Sequence, residues 1–175
     1  MSNNKRYVVV DIETTGFSAT SDRITELGAV KIENGAITEE FSQLIDPGIP
    51  IPWRITEITG ITSDMVSGKP TIEEAMPHFL EFCAGCDIVA HNARFDMGFI
   101  IFNAERLGYD CDFRILDTLS MARKLFPYLE NHKLGTVAKH LKIKLVKHHR
   151  ASDDARATAQ IFLHCMEHLG DRKGK

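Results

Sequence analysis

Apolar residues recur along this chain with two different periods. Tyr7-Val8-Val9-Val10-Asp11 is a continuous β-branched run, and Arg23 to Glu33 and Glu39 to Asp46 are further extended segments. Asn34-Gly35 between the last two has the composition of a two-residue hairpin turn. Short apolar stretches at Ile88 to Ala90 and Phe113 to Leu116 predict two more strands. Helical spacing predicts helices over Ile72 to Cys83, Arg94 to Leu107, Thr118 to Leu125, Leu134 to His140 and Ala151 to Leu169. The Pro-rich Pro47 to Trp53 reads as a loop, since patterned sequence resumes at once. Three meandering strands followed by alternating strand and helix predict an α/β fold, a mixed five-stranded sheet flanked by helices. One domain is expected over 7–170, between an N-terminal tail at 1–6 and a C-terminal tail at 171–175.

Polar residues placed inside this apolar frame carry the candidate chemistry. Asp11 and Glu13 alternate along the first strand, so both carboxylates project from one face. Paired acids near a core repel each other and lose hydration, and no Lys or Arg in the strand compensates them. A hard divalent cation bound through oxygen ligands is the natural remedy. A third acid, Asp96, lies in the first turn of the helix after Ile88 to Ala90, with Asn92 at its N-cap position. A fourth follows His149-Arg150-Ala151-Ser152. There Asp154 shares a stripe with Ala151, Ala155, Thr158, Ile161, Phe162 and Cys165, whereas Asp153 falls with Arg156, Gln160, His164 and Glu167. Asp154 is therefore the inward ligand candidate and Asp153 a solvated neighbour.

These acids, their order and their local context resemble the DEDD exonuclease superfamily. His149, five residues before Asp154, marks its DEDDh branch. The motifs are Asp11 and Glu13 with Thr14-Thr15-Gly16, then His91-Asn92-Ala93 with Phe95-Asp96, then His149 with Asp154-Ala155. Gly60-Ile61-Thr62, Asp117-Thr118 and Lys133-Leu134-Gly135-Thr136 also look like this family, and the likeness runs from about Tyr7 to Leu169. Within it, the chain most resembles the proofreading exonuclease domains of bacterial DNA polymerase III, of both the epsilon and the PolC type. Thr59 departs from the pattern, in which a His before the Gly-Ile pair helps to wedge terminal bases apart.

The resemblance implies a ribonuclease H-like architecture and 3′ to 5′ exonuclease chemistry with two divalent metal ions, Mg²⁺ or Mn²⁺. It implies that Asp11 bridges both ions, that Glu13 and Asp154 complete the shell of one, and that Asp96 acts on the other. His149 would be the general base for the attacking water, a task for which an imidazole's unperturbed pKa, near neutrality, is suited. Thr14, Thr15 and Gly16 would hold the 3′-terminal nucleotide. Phe95 and Asn92 are further substrate-contact candidates, although Phe95 shares the core spacing of Phe99 and Phe102, and Asn92 and His91 also read as structural caps.

The implied substrates are single-stranded or frayed 3′ DNA ends, with release of nucleoside 5′-monophosphates in proofreading or repair, and a DNA polymerase or a helicase as the implied partner. Two other readings stay open: an exoribonuclease like oligoribonuclease or RNase T, and a non-catalytic subunit that docks a polymerase.

Composition narrows the classes without choosing among these. With 21 basic against 24 acidic residues, the chain has no global positive field for duplex DNA. The stretch Lys139 to Arg150 is locally basic, and Lys144 and Lys147 are its candidate phosphate contacts. No apolar run approaches a membrane span and no signal-like segment opens the chain, so a cytoplasmic enzyme with no membrane partner is expected. Cys83 and Cys86 form a C-x-x-C without a second pair and read as buried thiols. His164 and His168 fall on a polar stripe and read as surface.

Overall fold

Continuous β-branched runs bury both of their faces only when helices cover the two sides of the sheet they form. The computed structural model describes residues 5–145 and 149–171. β1 (Tyr7–Thr14), β2 (Ile24–Glu33) and β3 (Ala36–Leu44) form an antiparallel meander. Asn34 and Gly35 join β2 to β3 with φ of 53° and 78°, the positive values that strand twist favours in a two-residue hairpin. β4 (Asp87–Ala90) and β5 (Ile115–Asp117) add in parallel on the other side, giving the order β3-β2-β1-β4-β5. This is the mixed five-stranded, ribonuclease H-like sheet that the pattern and the resemblance predict.

Each face of the sheet meets different helices. Val8, Val10 and Ile12 of β1, with Leu27 and Ala29 of β2, pack on α3 (Ile72–Cys83) and α4 (Ala93–Arg106) through Met76, Phe79, Met97 and Ile100. Val9, Val30, Ile32 and Val89 face the other way, onto Ala159 and Phe162 of α7 (Ala151–Asp171). The far side of α7 packs through Ile161 and Cys165 on α5 (Thr118–Leu125) and α6 (Leu134–His140). α7 is thus enclosed between the sheet and a helical layer, which is why apolar residues cover so much of its circumference.

Two short helices depart from the sequence expectation: α1 (Trp53–Thr59) and α2 (Ser63–Val66) occupy a segment with no predicted helix. They close a small separate cluster of Ile51, Ile61 and Val66. β1 also runs three residues beyond the predicted Asp11, so both acids lie within a paired strand. Residues 1–4 and 172–175 of the two expected tails, together with Lys147 and His148, lie outside the described residues. Among the described residues no helix is long and apolar enough to cross a membrane.

Candidate active site

The first two acids owe their direction to the pleat. Asp11 and Glu13 share a face with Val9, hence with α7, while Ile12 between them is buried against the α3–α4 layer. The pairing of β4 with β1 ends at Val9, and the Ile12 N–H beyond it donates to Asp96 Oδ1 at 3.1 Å. A carboxylate in the first turn of α4 thereby completes a ladder position that the short strand leaves open. Asp96 is buried, at the positive end of its helix.

The last acid is delivered by α7. Asp154 is buried on the apolar stripe and Asp153 is half-exposed, as the periodicity predicts. Asp154 Oδ2 accepts the backbone N–H of His149 at 3.0 Å, and His149 itself sits at φ 67°, in the left-handed region. Glu13, His149 and Asp154 each bring a candidate ligand atom within 4.8 Å of the other two. Gly28 on β2 makes this docking feasible: a Cβ there would lie 2.2 Å from the carbonyl carbon of Ala151.

The five residues Asp11, Glu13, Asp96, His149 and Asp154 line one open cavity of about 800 Å³, together with Asn92 and Phe95. Burial, and then repulsion from Asp154, Glu26 and Asp96, pushes Glu13 up to about 8. Burial likewise pushes Asp96 up to about 7 and holds Asp11 well above the usual carboxylate range, with Asp96 and Glu13 adding repulsion there. Burial and mutual repulsion thus favour the protonated forms of these acids, a balance that a bound cation would reverse. The candidate metal ligands around the cavity are the carboxylate oxygens and the His149 imidazole, with no cysteine among the described residues lining it. That set suits a hard divalent ion such as Mg²⁺ or Mn²⁺.

Other candidate residues stand at varying distance from this chemistry. Thr14 and Thr15 are buried and tied into their own loop: Thr14 Oγ1 donates to the Gly16 carbonyl at 2.5 Å, and Thr15 Oγ1 accepts the Arg23 N–H at 3.0 Å. Neither they nor Gly16 line the acid cavity; Gly16 leaves room for Asp22, whose carboxylate accepts the Ser18 N–H. Asn92 holds the N-cap position in a left-handed conformation, without a side-chain cap bond, and its N–H donates to Asp117 Oδ1. Asp117 also caps α5, its side chain accepting the Leu119 N–H. Both ring nitrogens of His91 are engaged, with Thr118 and the His132 carbonyl, so that residue is structural. Thr59 is buried and bonds locally to Ile55 and Ile61.

Phe95 is half-buried, between Phe99 and the exposed Phe17. Lys139, Lys142 and Lys144 do not line the cavity, and Arg150 is bound to Glu26; among the described residues the Lys and Arg side chains that line it are Arg123 and Lys133. Sequence reasoning also passed over Glu26, which is fully buried directly opposite Glu13. An acid inside an otherwise apolar strand was the available signal.

With this geometry in view, the relatives of the chain are informative. A family model described as Exonuclease, of the RNase T type, matches residues 8–162. The PolC-type DNA polymerase III of Clostridium perfringens (strain 13 / Type A) is 52% identical over 161 residues, covering 92% of this chain and 11% of that protein. The PolC-type enzyme of Caldanaerobacter subterraneus subsp. tengcongensis is 49% identical over 163 residues, covering 93% and 12%. The chain therefore spans only a small part of these relatives. Among solved structures, Exonuclease X in complex with 5′ overhanging duplex DNA is 29% identical, with a TM-score of 0.78 and coverage of 94% and 93%. E. coli Exonuclease I in complex with a dT13 oligonucleotide shares the fold, with a TM-score of 0.83 at 20% identity, covering 96% of this chain and 43% of that one.

Proposed function

The chain belongs to the exonuclease family, as a DEDDh 3′ to 5′ exodeoxyribonuclease, and from that premise we propose that it removes nucleoside 5′-monophosphates from single-stranded or frayed 3′ DNA ends. The observation that carries this reading is the convergence of Asp11, Glu13, Asp96, Asp154 and His149 on one open cavity. Asp11, Glu13, Asp96 and Asp154 would hold two divalent ions, which supply water activation and charge stabilisation at the phosphate and the leaving oxygen. His149 accepts the proton of the attacking water as the new P–O bond forms and the bond to the 3′-oxygen breaks. Its imidazole stands beside Glu13 and Asp154, so the transfer needs no long path. Phe95 and Phe17 offer an aromatic face to an unstacked base, and Arg123 and Lys133 offer charge to the strand's phosphates.

DNA is the preferred substrate on this reading because the PolC-type relatives are DNA polymerases and the Exonuclease X complex contains DNA. Proofreading beside a polymerase, in the cell interior, is the biological setting that fits those relatives. The test is digestion of a 3′-labelled single-stranded oligonucleotide with Mg²⁺ or Mn²⁺. The expected result is stepwise mononucleotide release from the 3′ end, with covalently closed circles spared. Asp11→Asn should abolish cleavage, and His149→Ala should slow it by on the order of 10²- to 10⁴-fold. An intact oligonucleotide with wild-type protein would favour the docking-subunit reading, and equal or faster cutting of matched RNA would favour an exoribonuclease.

A further inference from the structure

Glu26 is a fully buried carboxylate to which the proposed chemistry gives no task. A buried acid is tolerated only when its charge and its lone pairs are satisfied. Here Arg150 Nε approaches Glu26 Oε1 at 3.2 Å and Oε2 at 3.1 Å, Arg150 Nη2 donates to Oε1 at 2.8 Å, and the Ala151 N–H donates to Oε2 at 3.0 Å. All of these donors come from two consecutive residues immediately after His149. A forked guanidinium on a carboxylate fixes direction as well as distance.

The surrounding contacts make this a dock for the His149 turn. Gly28, two residues along the same face of β2, meets the Ala151–Ser152 backbone with no space for a side chain. On the other side, the His149 N–H is held by Asp154, and the residue adopts φ 67°, a conformation that its neighbours must impose. Glu26 also stands directly across the ladder from Glu13, so the Arg150 cation offsets a like-charge pair at the edge of the site.

We propose that Glu26 and Arg150 form a positioning pair that sets His149 for proton transfer and acts on turnover rather than on substrate binding. Neither residue lines the acid cavity, so KM is not their quantity. The inference rests on the role proposed above for His149, and the experiment separates the two. Steady-state kinetics on single-stranded DNA, with thermal melting of each variant, are measured for wild type, Glu26→Gln, Arg150→Lys, His149→Ala and the double variant Glu26→Gln/His149→Ala.

Loss of orientation should lower kcat by on the order of 10- to 100-fold in Glu26→Gln with KM unchanged. Arg150→Lys should follow it, because an ammonium cannot reproduce the fork. The double variant should be no slower than His149→Ala alone, a coupling that a merely structural ion pair would not produce. Multiplicative losses in the double variant, or an unchanged kcat in both Glu26→Gln and Arg150→Lys, would overturn the proposal. Should Glu26→Gln not fold, the same cycle is run with Arg150→Lys. An unchanged rate in His149→Ala would instead overturn the role of His149 itself.

Discussion

Glu13 and Asp96 are where single side chains report on the whole site. Burial pushes Glu13 from 4.5 up to about 8, and Asp96 from 3.8 up to about 7. In the unfolded chain both titrate in the ordinary carboxylate range, so from there to about pH 8 the folded protein holds more protons than the unfolded one. The stability of the metal-free protein must therefore fall as pH rises through that window. Bound divalent cations would take the place of those protons and remove the slope. Melting temperature in a chelator should accordingly drop between pH 5 and pH 8, and added Mg²⁺ or Mn²⁺ should raise it far more at pH 8. Parallel curves with and without metal would contradict this electrostatic account. At the same scale, helical periodicity separated Asp154 from Asp153, because α7 has one narrow polar stripe and Asp153 falls on it. Glu26 escaped that logic, since its partner Arg150 lies 124 residues away and only tertiary packing brings the two together.

Among the elements, β2 and α7 have the most demanding interface. Gly28 faces the backbone of Ala151 and Ser152 rather than flexible side chains, so an added methyl group can be accommodated only by moving the helix. Gly28→Ala should destabilise the protein by about 1–3 kcal/mol, the usual range for an overpacked core. Because α7 carries Asp154, the variant should also lose metal-dependent cleavage when assayed well below its melting temperature. Thermal melts and rates on the same preparation check this, and a variant with a lowered Tm but full activity would show that the dock is not coupled to the site. Helices with clear apolar spacing were legible in the sequence even when short: α3, α5 and α6 have the bounds that periodicity predicts. α1 and α2 were not, because α1 is rich in β-branched Ile and Thr and follows a Pro-rich run, and the four residues of α2 make a single turn. The Asn92 position was legible too, but its left-handed backbone, tied to Asp117, was not.

For the molecule as a whole, charge placement matters more than total charge. The net −3 leaves little general attraction for nucleic acid, so the local cations at the cavity rim must do the guiding. The basic stretch before α7 was the conspicuous candidate in the sequence, yet its described lysines lie off the cavity while Arg123 and Lys133 border it. Those two are separated along the chain and come together only because α5 and α6 stack on α7. Arg123→Ala and Lys133→Ala should each raise KM and reduce the salt slope of single-strand binding by about 0.7 per lost phosphate contact, whereas Lys144→Ala should change neither. Titrations across ionic strength decide between the two sets of residues.

The central claim is that two strand acids and two helix acids form a single divalent-metal site. Anomalous diffraction from crystals soaked in Mn²⁺ tests it most directly. The account predicts two strong peaks in the cavity, bounded by Asp11, Glu13, Asp96 and Asp154, and their loss in Asp11→Asn crystals. A cavity without manganese peaks under conditions that support DNA cleavage would contradict it.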